Sequence, residues 1–259
     1  MTAMWRQLAR VLGLLVLSAL ALQLYFLARV GLMAVVDPQS TTFQRSEIRR
    51  LISEQHQVLW SQQWVSEEHI SDNLKRAVIA SEDASFLDHS GVEWDALEKA
   101  WEKNQRAEAQ AEKLNERQQR QAVRGNRPPA TKPPVAAKIV GGSTITQQLA
   151  KNLFLAGERS LPRKGQEFVI TFMLEALLSK QRILEIYLNN VEWGEGLFGA
   201  EAAARHYFHV SANQLGSFAA ARLAVMLPAP KRFEKRPSSP YVLGRASTVA
   251  ARMGAVELP

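Results

Sequence analysis

Cysteine is absent from the 259 residues. Disulfides are excluded and the fold must hold by packing, although the absence does not identify the compartment. No zinc-ligand spacing is present, and no second histidine stands four residues from His89. Alternation of apolar and polar residues over any useful length is missing as well, so a mostly α-helical domain is expected. A formal charge of +7 would attract nucleic acid, but no helix-turn-helix signal or interleaved aromatic–basic pattern supports such a partner.

What is there begins with an apolar run over residues 11–28, broken by the uncharged Ser18 and Gln23. Eighteen residues at 1.5 Å each give roughly 27 Å, close to the hydrocarbon thickness of a bilayer. Arg6 and Arg10 precede it, and Trp5 and Tyr25 suit interfacial positions. A single-pass anchor over residues 1–36 is expected, with the N-terminus cytoplasmic and the remainder, 37–259, outside. A signal peptide cut after Ala19-Leu20-Ala21 and a buried core helix are the alternatives; the run outlasts the first and lies too near the terminus for the second. Arg29 is expected to snorkel to the outer interface while residues 30–36 lie along the membrane surface.

The positive charge is uneven. Residues 102–138 hold nine lysines and arginines against four acidic residues, a net +5. Basic protein near an anionic leaflet gains about 1 kcal/mol per well-placed charge. From residue 106 apolar periodicity fades, and Pro128-Pro129 and Pro133-Pro134 end whatever helix precedes them. Residues 106–138 read as a flexible basic insertion, with a partner-binding arm as the alternative.

Elsewhere the periodicity is helical. Leu74, Ala77, Val78 and Ile79 suit a buried helix that delivers Glu82 at its end, and Trp94, Leu97, Ala100 and Trp101 should pack one face of the next. Helices are expected over 163–178, from a cap at Ser179 to an interruption at Asn189 and Asn190, over 200–204, and over 214–226. Residues 141–155, GGSTITQQLAKNLFL, are the densest in chemistry. Gly141 and Gly142 permit a turn, Thr144 can cap a helix with Gln147 reaching back, and the first turn then offers N–H groups to an anion. Lys151 adds a full charge two turns on.

Four segments, in order, carry a resemblance. They are Glu82-Asp83-x-x-Phe86-x-x-His89-x-Gly91, the run Gly141-Gly142-Ser143-Thr144-x-Thr146-Gln147-Gln148, Arg163-Lys164-x-x-Glu167, and Lys180-x-x-Ile183-Leu184-Glu185-x-Tyr187-Leu188-Asn189. The chain resembles the peptidoglycan glycosyltransferases (glycosyltransferase family 51) over roughly residues 70–240, with a lapse at the basic stretch. The resemblance implies a mainly α protein: a transmembrane helix, then a lysozyme-like α-helical glycosyltransferase domain with a small membrane-proximal lobe. The length leaves no room for a transpeptidase domain, so a single-activity member is expected.

The reaction so implied polymerises lipid II into glycan strands, the acceptor's sugar 4-hydroxyl displacing lipid pyrophosphate with inversion. Glu82 falls on the family's catalytic glutamate and is expected to act as base, already ionised near neutral pH without a large pKa shift. Asp83 is its orienting neighbour and a substrate-binding candidate; His89 shapes the turn. Glu167 is carried over as the second catalytic, donor-side carboxylate, supporting the pyrophosphate or a divalent cation (Mg2+ or Mn2+). Lys151, Arg159, Arg163 and Lys164 form the pyrophosphate clamp, with Ser143, Gln147, Gln148 and Asn152 as hydrogen-bonding partners. Lys180, Glu185, Tyr187 and Asn189 build the floor of the cleft. Leu153, Phe154 and Leu155 belong either to the core or to a membrane contact. Expected partners are lipid II, the nascent glycan, membrane lipids and cell-wall or division proteins, in the bacterial inner membrane. A lysozyme-like hydrolase and an inactive lipid II-binding scaffold are the competing readings.

Overall fold

A computed structural model describes residues 2–124, 136, 142–155 and 160–259. Gly141, Arg159 and the prolines at 128–134 lie outside them; of the expected flexible insertion 106–138, residues 106–124 are instead helical, and of the rest only Ala136 is described. In chain order the elements are α1 (Thr2–Leu32), α2 (Thr42–Gln55), β1 (Ser61–Gln62), α3 (Asp72–Glu82), α4 (Trp94–Arg124), α5 (Ile145–Phe154), α6 (Leu161–Leu177) and α7 (Lys180–Asn190). Then follow β2 (Glu192–Gly194), β3 (Leu197–Phe198), α8 (Ala200–Phe208), α9 (Ser217–Met226), α10 (Pro230–Phe233) and α11 (Pro240–Arg252).

Two compact units divide these elements: residues 1–91 with 144–259, and residues 92–143. In the larger, α3 buries Leu74, Ala77 and Val78 among α9 and α11, which supply Ala220, Leu223, Ala246 and Val249. Small residues at these positions let the helices approach closely, and each buried Leu or Val side chain contributes about 1.5–3 kcal/mol. Ser71, Ser160, Ser179 and Ser239 cap α3, α6, α7 and α11, each satisfying an otherwise unpaired N–H. Asn189 and Asn190 do not interrupt α7 as expected. Both are buried inside its last turn, where their side chains bond Glu185 O and Ile186 O at 2.9 Å and so replace water as partners.

The expectation of no strands needs correction. β1 pairs parallel and β2 antiparallel with β3 in a three-stranded sheet. Strands of two or three residues are too short for alternation to show. Gly196, at φ +70°, makes the hairpin possible: a Cβ there would stand 1.9 Å from Leu59 O.

α1 includes a span, Met4–Leu32, long and apolar enough to cross a membrane and mostly exposed. Its last turns belong to the domain. Phe26, Val30 and Met33 are buried, Phe26 meets Phe154 edge-on at 5.3 Å, and Gln23 and Gln166 exchange hydrogen bonds at 2.8 and 2.9 Å. Val30 and Met33 therefore do not lie along the membrane surface as expected: packing against the domain buries them more completely. Arg29 donates to Tyr25 Oη at 3.2 Å. Arg182 on α7 fixes the chain just after α1 through Met33 O at 2.8 Å and Asp37 at 2.7 Å.

The smaller unit is dominated by α4, whose 31 residues continue the helix well past residue 106. Exposed i,i+4 pairs, Arg106–Glu102 at 3.1 Å and Arg120–Glu116 at 3.3 Å, support it by a few tenths of a kcal/mol each, at about 0.3–0.5. Trp94 is largely exposed and Trp101 is exposed rather than packed, while Ala100 is buried. Spacing defines an apolar face but does not supply what would cover it.

Candidate active site

α3 ends on Glu82, and Asp83 is its C-cap, donating N–H to Ile79 O at 2.9 Å. The apolar face of α3 fixes where Glu82 emerges. Burial raises the Glu82 carboxyl above the ordinary glutamate range; a hydrogen bond from Gln148 opposes the shift and the charge of Asp83 adds to it. The expectation was that no large shift is needed; desolvation adds a direction to it, upward.

Asp83, expected to bind substrate, has a fully buried side chain with both oxygens engaged. One accepts from His89 Nε2 at 2.8 Å, the other from the backbone N–H of Ile145 at 3.0 Å. Because Gly91 N donates to His89 Nδ1 at 3.1 Å, that nitrogen is the acceptor and Nε2 carries the proton. Asp83 is thus the anion at the N-terminus of α5, where the helix dipole favours it. The first turn of α5 was expected to offer its N–H groups to an outside anion. Instead Ile145 N binds Asp83 and Gln147 N binds Thr144 Oγ1 at 3.2 Å.

Thr144 and Gln147 form the expected capping box, and Thr144 Oγ1 also donates to Gly91 O at 2.6 Å. Gly91 sits at φ +85°, and a Cβ there would meet Thr171 and Glu175 side chains at 2.7 and 2.8 Å. This glycine is required by both conformation and space. Gln147 is buried, its side-chain oxygen held by Thr144 N at 3.1 Å, so that oxygen braces α5, while its Nε2 has no partner among the described residues.

Gln148 does face the acid: Nε2 donates to Glu82 Oε2 at 2.9 Å, and Oε1 accepts from Tyr187 Oη at 2.9 Å. Three residues on along α5, Lys151 belongs to a second group with Glu167, Arg163 and Lys164 of α6. Arg163 Nη1 lies 3.2 Å from Glu167 Oε2, and Lys164 Nζ pairs with Oε1 of the same carboxylate. Lys151 presents an exposed surface, yet surrounding protein desolvates its ammonium and lowers its pKa; Glu167 opposes this, while Arg163 and Lys164 reinforce it. Three cations against one buried carboxylate leave a formal excess of positive charge suited to an anion. Asn152 is half-buried on α5 and Ser143 is exposed at the edge of the smaller unit; Arg159 lies outside the described residues.

Glu167 is the carboxylate beside which a divalent cation was left open. Both oxygens of the one carboxylate are already bonded to cations, and among the described residues no cluster of three His, Asp or Glu side chains could hold a metal ion.

Glu175, not foreseen from sequence, joins Lys180, expected in the floor of the cleft, in a frame beside both groups. Glu175 of α6 accepts from Thr146 Oγ1 at 2.6 Å and from Lys180 Nζ at 2.9 Å. Lys180 also donates to His89 O at 2.6 Å and lies 4.5 Å over the Phe86 ring. A lone acid in an apolar helix gives no warning in sequence of such a role. Leu153 is buried in the core, which decides it for the core; Phe154 and Leu155 are partly buried and pack against it.

This arrangement, a desolvated carboxylate and a cation cluster on either end of one short helix, is equipped for acid–base work beside an anionic group. Comparison identifies the class: the chain belongs to the transglycosylase family, whose model matches residues 49–113 and 133–254, and is a glycosyltransferase of lysozyme-like, mainly helical fold. The match omits residues 114–132, within the basic stretch. Similar proteins named biosynthetic peptidoglycan transglycosylase occur in several bacteria. That of Burkholderia thailandensis is 51% identical over 240 residues, 93% of this chain and 83% of the relative. That of Cupriavidus metallidurans is 49% identical over 262 residues, 98% and 99% of the two chains. That of Bordetella pertussis is 48% identical over 241 residues, 93% and 90%.

Proposed function

We propose that this glycosyltransferase polymerises lipid II into peptidoglycan strands at the outer face of the bacterial inner membrane. α1 is its single-pass anchor, with the N-terminus in the cytoplasm and the catalytic domain in the periplasm. The observation that carries the reading is the reach of α5, which binds Glu82 through Gln148 and brings Lys151 to Glu167, Arg163 and Lys164. A residue pair three apart shares one helix face, so base and cation cluster line the same side of α5.

The sugar 4-hydroxyl of the acceptor, lipid II, attacks the anomeric carbon of the growing chain. Its proton passes to Glu82, the new carbon–oxygen bond forms, and the bond to the diphosphate breaks with inversion. Undecaprenyl pyrophosphate leaves carrying the electron pair. General-base assistance contributes about 10²–10⁴ in rate. Lys151, Arg163 and Lys164 meet the charge that develops on the leaving group, with Asn152 as a further donor, and Glu167 holds the cations in place. A hydrolase acting on finished glycan would have no diphosphate for this cluster to meet.

The lipid tails must remain in the bilayer. Val169, Phe172 and Leu177 are exposed along α6, the helix that packs on α1, and this apolar stripe suits contact with lipid. The test supplies purified protein in detergent or vesicles with lipid II. Glycan polymer together with free undecaprenyl pyrophosphate supports the reading; binding without turnover, or cleavage of preformed glycan alone, overturns it.

A further inference from the structure

We propose that Tyr187 is a positioning residue, its buried hydroxyl fixing the direction of the Gln148 amide so that the amide N–H points at Glu82. Tyr187 belongs to α7 and is 1% exposed, so water cannot serve its hydroxyl. Its proton goes to Gln148 Oε1 at 2.9 Å, and the same amide's Nε2 lies 2.9 Å from Glu82 Oε2. The three groups form a directed chain, phenol to amide to carboxylate, in which each bond strengthens the next.

Turning the amide over would set its oxygen against an ionised carboxylate and leave the Tyr187 proton without this acceptor. A buried donor left unpaired costs about 1–3 kcal/mol. The turned amide suits only a protonated Glu82, which could then donate to Oε1. By opposing that orientation, Tyr187 opposes protonation of the base. The titratable groups facing Glu82 are Asp83 beside it and Tyr187 itself across the chain; burial and these two carboxylates hold the phenol well above its usual pKa. The phenol therefore stays a donor throughout the working range.

The inference deepens the reading of Glu82 as the base and is tested so that the two can fail separately. Tyr187→Phe keeps the ring, which is fully buried, and removes only the hydroxyl. Glu82 ionisation is followed in the full-length protein by isotope-edited infrared spectroscopy, using Glu82→Gln to assign the band, and in parallel by the pH dependence of kcat/KM. In Tyr187→Phe both midpoints move up by about one pH unit, roughly tenfold in the protonation equilibrium, with KM on the plateau within about twofold of wild type. Ile186→Val, a buried neighbour, lowers thermal stability without moving either midpoint, which separates positioning from packing. An infrared midpoint identical in Tyr187→Phe and wild type overturns the inference. A shifted infrared midpoint with an unshifted rate profile sustains the role of Tyr187 and removes Glu82 as the base.

Discussion

Asp83 accepts the backbone N–H of Ile145 at 3.0 Å, so the residue next to the proposed base fixes the start of the helix that carries Gln148 and Lys151. The two acidic neighbours have divided roles. One carboxylate is spent on structure so that the other can be placed.

Replacing Asp83 by Asn should therefore act through α5. The amide can keep one of the two bonds and loses the charge at the helix N-terminus, an effect of about 0.5–2 kcal/mol on stability. Denaturant unfolding measures the loss, and turnover should fall with it, while the acid limb of the rate profile moves to lower pH because one of the charges that raise Glu82 is gone. Unchanged stability would mean that the Ile145 contact contributes little.

Gly91→Ala places a Cβ within 2.8 Å of two α6 side chains at φ +85°. Strain in that region costs about 1–3 kcal/mol before any clash is counted. The melting temperature should drop by several degrees, on the order of 4 °C or more, and a wild-type melting curve would show that the turn relaxes freely.

Lys151→Met removes the member of the cation cluster contributed by α5. If the cluster acts on the leaving group, turnover falls by about 10²–10³, the scale of losing one aimed electrostatic contact, while the fold persists. A change confined to KM would place Lys151 in ground-state binding instead.

Far from this site, Glu192 on β2 is buried beside Lys231 at 3.5 Å, and desolvation, together with Glu47 and Glu234, pushes its carboxyl up to about 7 against the attraction of Lys231. Its folded value exceeds its unfolded value, so the native state binds the extra proton. Stability then falls as pH rises from about 4.5 to about 7, by up to roughly 3 kcal/mol. Glu192→Gln should flatten that part of the stability–pH curve; an unchanged slope would exclude Glu192 as its source.

Much of this was readable in the chain. The long apolar helix α1, the Thr144–Gln147 cap, the Ser179 cap and the delivery of Glu82 at the end of α3 all follow from local patterns, because capping and apolar spacing are decided within a few residues. What escaped was long-range. Nothing local distinguishes an Asp83 turned inward to α5 from one turned toward substrate, and a free helix N-terminus looks the same in sequence as one filled by a carboxylate 62 residues away. Glu175 gave no signal, and Tyr187 gave only its place in a motif. Trp101 erred the other way, since its spacing promised a packed face that exposure does not show. The short strands around Gly196 arise from tertiary closure, which no periodicity records.

The most direct test is Glu82→Gln, assayed with lipid II under single-turnover conditions alongside circular dichroism and melting. The substitution keeps the shape and removes a desolvated charge, so the account predicts a folded protein, at least as stable as wild type near neutral pH, whose polymerisation rate falls by about 10²–10⁴. A folded variant that polymerises lipid II at a rate near that of wild type would contradict it.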